Sequence, residues 1–213
     1  MGAMSEDEII QLAVARINER HRWFGTFIDP RDGRVYKTVK IGDQVWMAEN
    51  LAFGTMVRLS HAELAAGEKW NYNDDEASSF GGLYTWNVAK KSCPQGWHLP
   101  SQAEFETLFG VVGGIPGISL ATMLKSKGMW EHSDDGADGN GNDAYGFSAI
   151  PSGFADHDGF FCIGCAAHFW SSSECDQDQG CAYGMFLNRD AEKLAGMYRY
   201  PKSHGFAVRC VKD

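Results

Sequence analysis

At Phe27 the spacing of apolar residues switches from the helical period to the two-residue period of strands. Whatever follows must build its core largely from sheet. Before the switch, Ser5 and Glu8 form a capping box, and Ile9, Leu12, Ala13 and Ile17 recur at helical spacing, which predicts a helix over Ser5 to Trp23. Its apolar stripe needs a partner, either the rest of this chain, the preferred reading, or a second copy. The preceding Met1-Gly2-Ala3-Met4 reads as a cloning remnant, so residues 1–26 are remnant plus helix and residues 27–213 are the domain.

After the switch, Asp29-Pro30-Arg31-Asp32-Gly33-Arg34 has turn chemistry and separates Phe27-Ile28 from the alternating Val35, Lys37, Val39 and Ile41. A hairpin follows from this. A second turn at Gly42-Asp43 leads into Gln44 to Met47, so the domain opens as a meander. Phe80 to Ser92 is helix-like, with Leu83, Trp86, Val88 and Ala89 on one stripe, and stops before Cys93-Pro94. Ser101 and Glu104 form a second capping box ahead of Phe105, Leu108 and Phe109, the apolar face of another helix. From Ser133 to Asp143 the chain turns to Gly, Asp and Asn, a long loop. Short strands are then expected at Gly146 to Ile150, Phe169 to Ser172, Ala182 to Leu187 and Gly205 to Val211. The class is α+β. Trp46, Trp86, Trp97 and Trp170 are read as core, and His98 as a hydrogen-bonded structural residue.

A net charge of −9 with no basic stripe argues against nucleic acid as a partner, and no apolar run approaches the roughly 18 residues needed to cross a bilayer. Six cysteines over 213 residues supplement a core rather than replace one. Cys162, Cys165, Cys175 and Cys181 allow three readings: disulfides that pin loops, which is preferred, a zinc site, or a redox pair. Asp134 to Asp143 places oxygen ligands at alternate positions, as calcium prefers, without the Gly and Glu of an EF-hand. No cofactor is required by either pattern. Serine-triad, phosphate-loop and paired-carboxylate motifs are absent, so the chain is read as a binding protein and not an enzyme.

Six blocks carry a resemblance: Trp46-Met47-Ala48-Glu49-Asn50-Leu51, Gly82-Leu83-Tyr84-Thr85-Trp86, Cys93 to Pro100, Tyr145 to Ala149, Trp170 to Glu174, and Gly205 to Val211. In this order they resemble the Fibrobacter succinogenes major paralogous domain, over nearly everything from Phe27 onward. That family looks like a branch of the C-type-lectin-like fold, which implies antiparallel strands, two helices and long irregular loops, here with the N-terminal helix added. The resemblance also implies a Cys93–Cys210 disulfide. A formylglycine-generating oxidase is the nearest enzymatic relative of that fold, and Cys162 with Cys165 would be its candidate pair.

Lectin-like domains of this type also serve as variable proteins of diversity-generating retroelements, in which a reverse transcriptase rewrites adenines in the C-terminal coding segment. Cys162, Cys165, Asp176, Asp178, Gly180, Cys181, Gly184, Phe186, Arg189, Leu194, Gly196, Tyr198, Tyr200, Pro201 and His204 are all reachable from an Asn codon. The resemblance thus implies a diversified ligand-binding region within residues 160–204. Its expected binding residues are Phe161, Cys162, Cys165, His168, Asp176, Asp178, Gly184, Phe186, Arg189, Tyr198, Tyr200 and His204. Alternation along Tyr183, Met185 and Leu187 would turn Phe186 outward, and exposed. The expected partner is a protein or other macromolecule, met at a cell surface, in a virion or after secretion rather than in the cytoplasm. A fixed adhesion module is the alternative.

Overall fold

Two five-stranded sheets form around the C-terminal return of the chain, in a computed structural model that describes residues 24–59, 63–75, 78–113, 119–190 and 195–213. The expected helix over Ser5 to Trp23 lies outside these residues. The first sheet holds β1 (Phe24–Ile28), β2 (Val35–Ile41), β3 (Gln44–Met47), β6 (Trp97–His98) and β12 (Val211–Lys212), in the order β1-β2-β3-β12-β6. The foreseen hairpin and meander are its first three strands, with Ile28 opposite Val35 and Thr38 opposite Met47. Between the sheets run β4 (Thr55–Met56) and β5 (Glu68–Lys69), a short pair, and three helices: α1 (Trp86–Ala89), α2 (Gln102–Val112) and α3 (Leu120–Leu124).

The second sheet is β11-β10-β9-β7-β8, from β7 (Ser152–Asp156), β8 (Gly159–Ile163), β9 (Ala166–Cys175), β10 (Asp178–Asn188) and β11 (Ala195–Pro201). Its pairings are antiparallel except β7 with β9. The structure is α+β and mostly strand. No helix of the described residues is long and apolar enough to cross a membrane.

Local chemistry explains the firm elements. The Ser101–Glu104 capping box is formed in both directions, and Phe105, Leu108 and Val112 then bury one face of α2. His98 bridges Asp213 through Nδ1 at 2.6 Å and Glu104 through Nε2 at 2.8 Å, the structural role expected of it. Trp46, Trp86, Trp97 and Trp170 are all buried. Each large side chain withdrawn from water contributes about 1.5 to 3 kcal/mol.

Three expectations are corrected. Helix occupies only Trp86–Ala89 of the stretch Phe80 to Ser92, because Gly81 has φ +83° and Leu83 exchanges both backbone hydrogen bonds with Trp70. Gly146 to Ile150 is not a strand: Ser148 has φ 52°, and only Ala149 makes a bridge, to Lys125. Gly205 to Val211 is a thread of single bridges rather than a strand, with β12 only at its end.

That thread is nonetheless the seam of the molecule. Phe206 pairs with Tyr84, Ala207 with Phe169, Leu51 N donates to Val208 O, and Met47 N donates to Cys210 O. Cys210 is bonded to Cys93, with Cα atoms 5.9 Å apart, as the resemblance implied. Beside it, the fully buried Arg209 donates to Asn50 Oδ1 at 2.7 Å, to Ser148 O at 2.8 Å and to Phe147 O. Replacing Arg209 by Met would keep its volume and strand those acceptors. Urea unfolding of Arg209→Met is expected to show a loss of about 3 to 5 kcal/mol, and a loss under 1 kcal/mol would mean the acceptors find water.

Candidate functional site

Strand register decides which residues of the second sheet share a face. His168 stands opposite Phe186, Phe186 opposite Gly196, Trp170 opposite Gly184, Gly184 opposite Tyr198, and Ala182 opposite Tyr200. These residues lie on one side. The alternate residues Ala167, Phe169, Met185 and Leu187 are buried on the other, against α2 and the first sheet, with Met197 packed at their margin. Phe154 of β7 stands opposite Phe161 of β8 and stacks on it, with ring centroids 5.4 Å apart.

The result is a continuous aromatic face. Its floor is Trp170 and Phe206, stacked at 4.3 Å and out of contact with water. Above the floor, Tyr200 meets Phe206 at 4.8 Å, and His168 meets Phe206 at 4.7 Å and Phe186 at 4.8 Å. His204 stacks on Phe154 at 5.9 Å. Gly184 leaves room for this packing, since a Cβ there would stand 3.3 Å from Tyr200 and 3.4 Å from Phe206. Two rings reach solvent, Phe161 at 38% and Tyr198 at 37% exposure, the latter edge-on to Phe186 at 6.0 Å.

Seven of the sequence-predicted site residues are therefore brought together here: Phe161, His168, Gly184, Phe186, Tyr198, Tyr200 and His204. The face differs from expectation in two ways. Phe186 is half-buried because His168 and Tyr198 cover it, and His168, expected among the binding residues, lies within β9 and is only 5% exposed. Phe154 and Phe206 were not singled out by sequence. The alternation of Ser152 to Asp156 ahead of the His157-Asp158-Gly159 turn was the available sign for Phe154.

The other predicted residues go elsewhere. Asp176 and Asp178 flank the β9–β10 turn, where Cys175 and Cys181 form a disulfide, Cα atoms 5.6 Å apart. Cys162, Cys165 and Arg189 sit at the opposite end of β9, about 30 Å away at 3.3 Å per residue. The Cys175–Cys181 bond removes two of the four thiolates that a zinc site would need. Cys162 and Cys165 are free, Cys165 Sγ lies 3.3 Å from Cys162 O, and burial, with Cys162 beside it, pushes the Cys165 thiol up to about 12. At neutral pH it is a thiol and not a thiolate. Arg189 is bound to Glu131 at 3.1 Å and to Asp134.

The acidic loop is organised around cations of the protein itself. Asp134 holds Arg189, Asp138 accepts from Asn140, Asp143 accepts from Ser148, and Lys125 Nζ donates to Gly139 O, Asn188 O and Arg189 O. These carboxylates do not converge. Among the described residues, Asp156, His157 and Asp158, on the β7–β8 turn, are the group whose ligand atoms lie within 4.8 Å of one another.

His168 has the most perturbed environment of the face. Its Nδ1 is buried without a hydrogen-bond partner, and burial, reinforced by His204, pulls its pKa down to about 3. Burial likewise lowers His204.

Residues 39–212 match the family model of the Fibrobacter succinogenes major domain. No curated protein and no solved structure matches the chain.

A histidine whose folded pKa is depressed stabilises the fold above its unfolded value near 6.5 and loses that contribution as pH falls toward 3, because the unfolded chain takes up the proton first. His168→Phe is expected to flatten the fall of unfolding free energy between pH 4 and 6 by up to about 1.4 kcal/mol per pH unit. Equal slopes in wild type and variant would show that the imidazole reaches water.

Proposed function

The chain belongs to the Fibrobacter succinogenes major domain family, and on that premise we propose that it is a ligand-binding display protein on a C-type-lectin-like scaffold, the diversified product of a retroelement. The observation that carries the reading is the aromatic face: seven residues chosen from sequence as binding positions share one side of the β9–β10–β11 sheet and its margin. Rigid amphipathic rings over a fixed floor recognise protein surfaces at low entropic cost, because few torsions freeze on contact. Phe161 and Tyr198 are the outermost rings and the first to meet a partner. Two disulfides agree with a location outside the reducing cytoplasm, on a cell surface, in a virion or secreted.

Binding rather than catalysis also fits the cysteines. An oxidase of the formylglycine-generating kind needs a reactive thiol pair, whereas Cys165 is held protonated and Cys162 stands exposed beside it. A second reading, a fixed adhesion module with the same face, draws on two positions within the segment. Cys181 is committed to a disulfide and His168 is packed into the aromatic floor, and substitution at either would disturb the scaffold.

Sequencing the DNA that flanks the gene separates the two readings. Diversification requires a nearby template repeat and a reverse transcriptase gene, with differences confined to template adenines and falling on the codons of Phe186, Tyr198, Tyr200 and His204. A flank with neither leaves the fixed module. For a protein ligand recovered with the intact chain, Phe161→Ala and Tyr198→Ala are each expected to weaken binding about tenfold, ~1.4 kcal/mol, with Lys40→Ala neutral. Unchanged titration curves for both ring variants would move the binding site elsewhere.

A further inference from the structure

A cavity of about 500 Å³ lies away from the aromatic face, bounded by strand β2 and by the chain at residues 127–150. That is the size of a small-molecule site. One wall is β2, where Val35 and Lys37 share a face by strand alternation, and Phe24 of β1 stands on the same face opposite Val39. The other wall carries Lys127, Met129 and Ile150. Six large apolar side chains are exposed among the described residues, and three of them line this cavity: Phe24 at 61%, Val35 at 54% and Met129 at 51% exposure. Half of the exposed apolar side chains thus stand around one opening.

The backbone around the cavity is held in conformations that side chains rarely adopt. Six residues other than glycine have positive φ among the described residues, and three of them line this cavity: Met129 at 79°, Asp143 at 48° and Ser148 at 52°. Methionine has no short polar side chain to ease such a backbone. Strain of this kind persists only where the surroundings fix it, and it gathers at ligand sites. Here Asp143 accepts from Ser148 N at 2.7 Å, and the buried Arg209 donates to Ser148 O at 2.8 Å. The wall is therefore set in place before any ligand arrives.

The charge of the cavity runs against that of the chain. Overall there are 28 acidic and 19 basic residues, whereas the lining holds four basic residues, Arg34, Lys37, Lys127 and Arg209, and two acidic ones, Glu49 and Asp143. Both carboxylates are engaged within the chain, Glu49 by the Lys37 backbone N–H and Asp143 by Ser148. Arg34, Lys37 and Lys127 make no ion pair among the described residues. Arg209 adds its charge from beneath the floor, through protein rather than water, where a field is screened least. An anion entering between these apolar walls meets an excess of uncommitted positive charge.

We propose that this cavity binds a small organic anion of the carboxylate class, its charged head drawn to Lys37 and Lys127 and its apolar body laid against Phe24, Val35 and Met129. Each wall then supplies one ammonium and apolar surface to the same ligand. Neither half of such a ligand suffices. A bare anion leaves the apolar walls wet, and a neutral apolar molecule leaves the cations without a partner. The inference is independent of the aromatic face and of the ligand proposed for it.

Octanoate, octanol and inorganic phosphate, each titrated into the full chain and followed by backbone amide shifts, test it. Octanoate is expected to saturate with a Kd of about 1 mM, moving amides of residues 35–37, 127–129 and 143–148, while octanol and phosphate bind about fivefold more weakly. Lys37→Met and Lys127→Met, which keep the length of the side chain and remove its charge, are each expected to weaken octanoate about fivefold. Lys40→Met, on the other face of β2, leaves octanoate binding unchanged. Amide spectra that match wild type away from the cavity show that the variants fold. Octanoate that binds no better than octanol, that binds all four proteins equally, or that moves only the amides around Phe161 and Tyr198 would overturn the site.

Discussion

Everything else in this fold is arranged around one buried cation. Arg209 has no contact with water, and burial draws its pKa down to about 9 against the pull of Asp143, so the guanidinium is charged at neutral pH and must be satisfied from within. Its fork does so by joining segments far apart in sequence, the chain at Asn50 and the chain at Phe147 and Ser148, to the last residues. The rings of Phe147 and Phe169 lie 4.8 and 5.4 Å from its centre and add cation–π attraction. Lysine could not make these bonds, because one ammonium cannot span a planar fork's divergent acceptors.

With Arg209 seated, the thread from Gly205 to Cys210 has one path. Cys210 meets Cys93, Phe206 falls between Trp170 and Tyr200, and Ala207 reaches the backbone of Phe169. The floor of the aromatic face is therefore made by the same segment that closes the first sheet. A surface whose rings rest on such a seam tolerates change at its rim, at Tyr198 and Phe161, far better than at His168, where a buried imidazole is wedged among Phe154, Phe186, Tyr200 and Phe206.

Much of this was legible in the sequence, and the physical reasons are local. The turn at Asp29 to Arg34, the alternation of β2 and the capping box at Ser101 are short-range signals, and each appears where expected. What failed was non-local. Gly81 and Ser148 adopt left-handed backbone where periodicity suggested helix and strand, and Gly205 to Val211 pairs one residue at a time with a succession of partners, Ala155, Tyr84, Phe169, Leu51 and Met47 among them. For the site, alternation correctly put Met185 and Leu187 in the core and Phe186 on the other side. It could not reveal that His168 would come up beneath Phe186 from the neighbouring strand, because register is set by pairing across the sheet. Nor could it separate the two ends of β9, so Arg189 and Asp176 were grouped with rings that lie between them.

The same logic separates the acidic loop from the aromatic face. Both are rich in residue types that often mark sites, yet the loop's carboxylates are spent on Arg189, Asn140 and Ser148, and its floor is the ammonium of Lys125 over the Trp130 ring. A polar group whose hydrogen bonds are satisfied internally has little left to offer a ligand. The aromatic face is the reverse case: its outer rings at Phe161 and Tyr198 meet water, and His168 keeps a buried nitrogen unpaired. The two regions thus differ in kind: the loop's polar groups are paired within the chain, whereas the face leaves apolar rings at Phe161 and Tyr198 open to water above a buried, unpaired imidazole nitrogen.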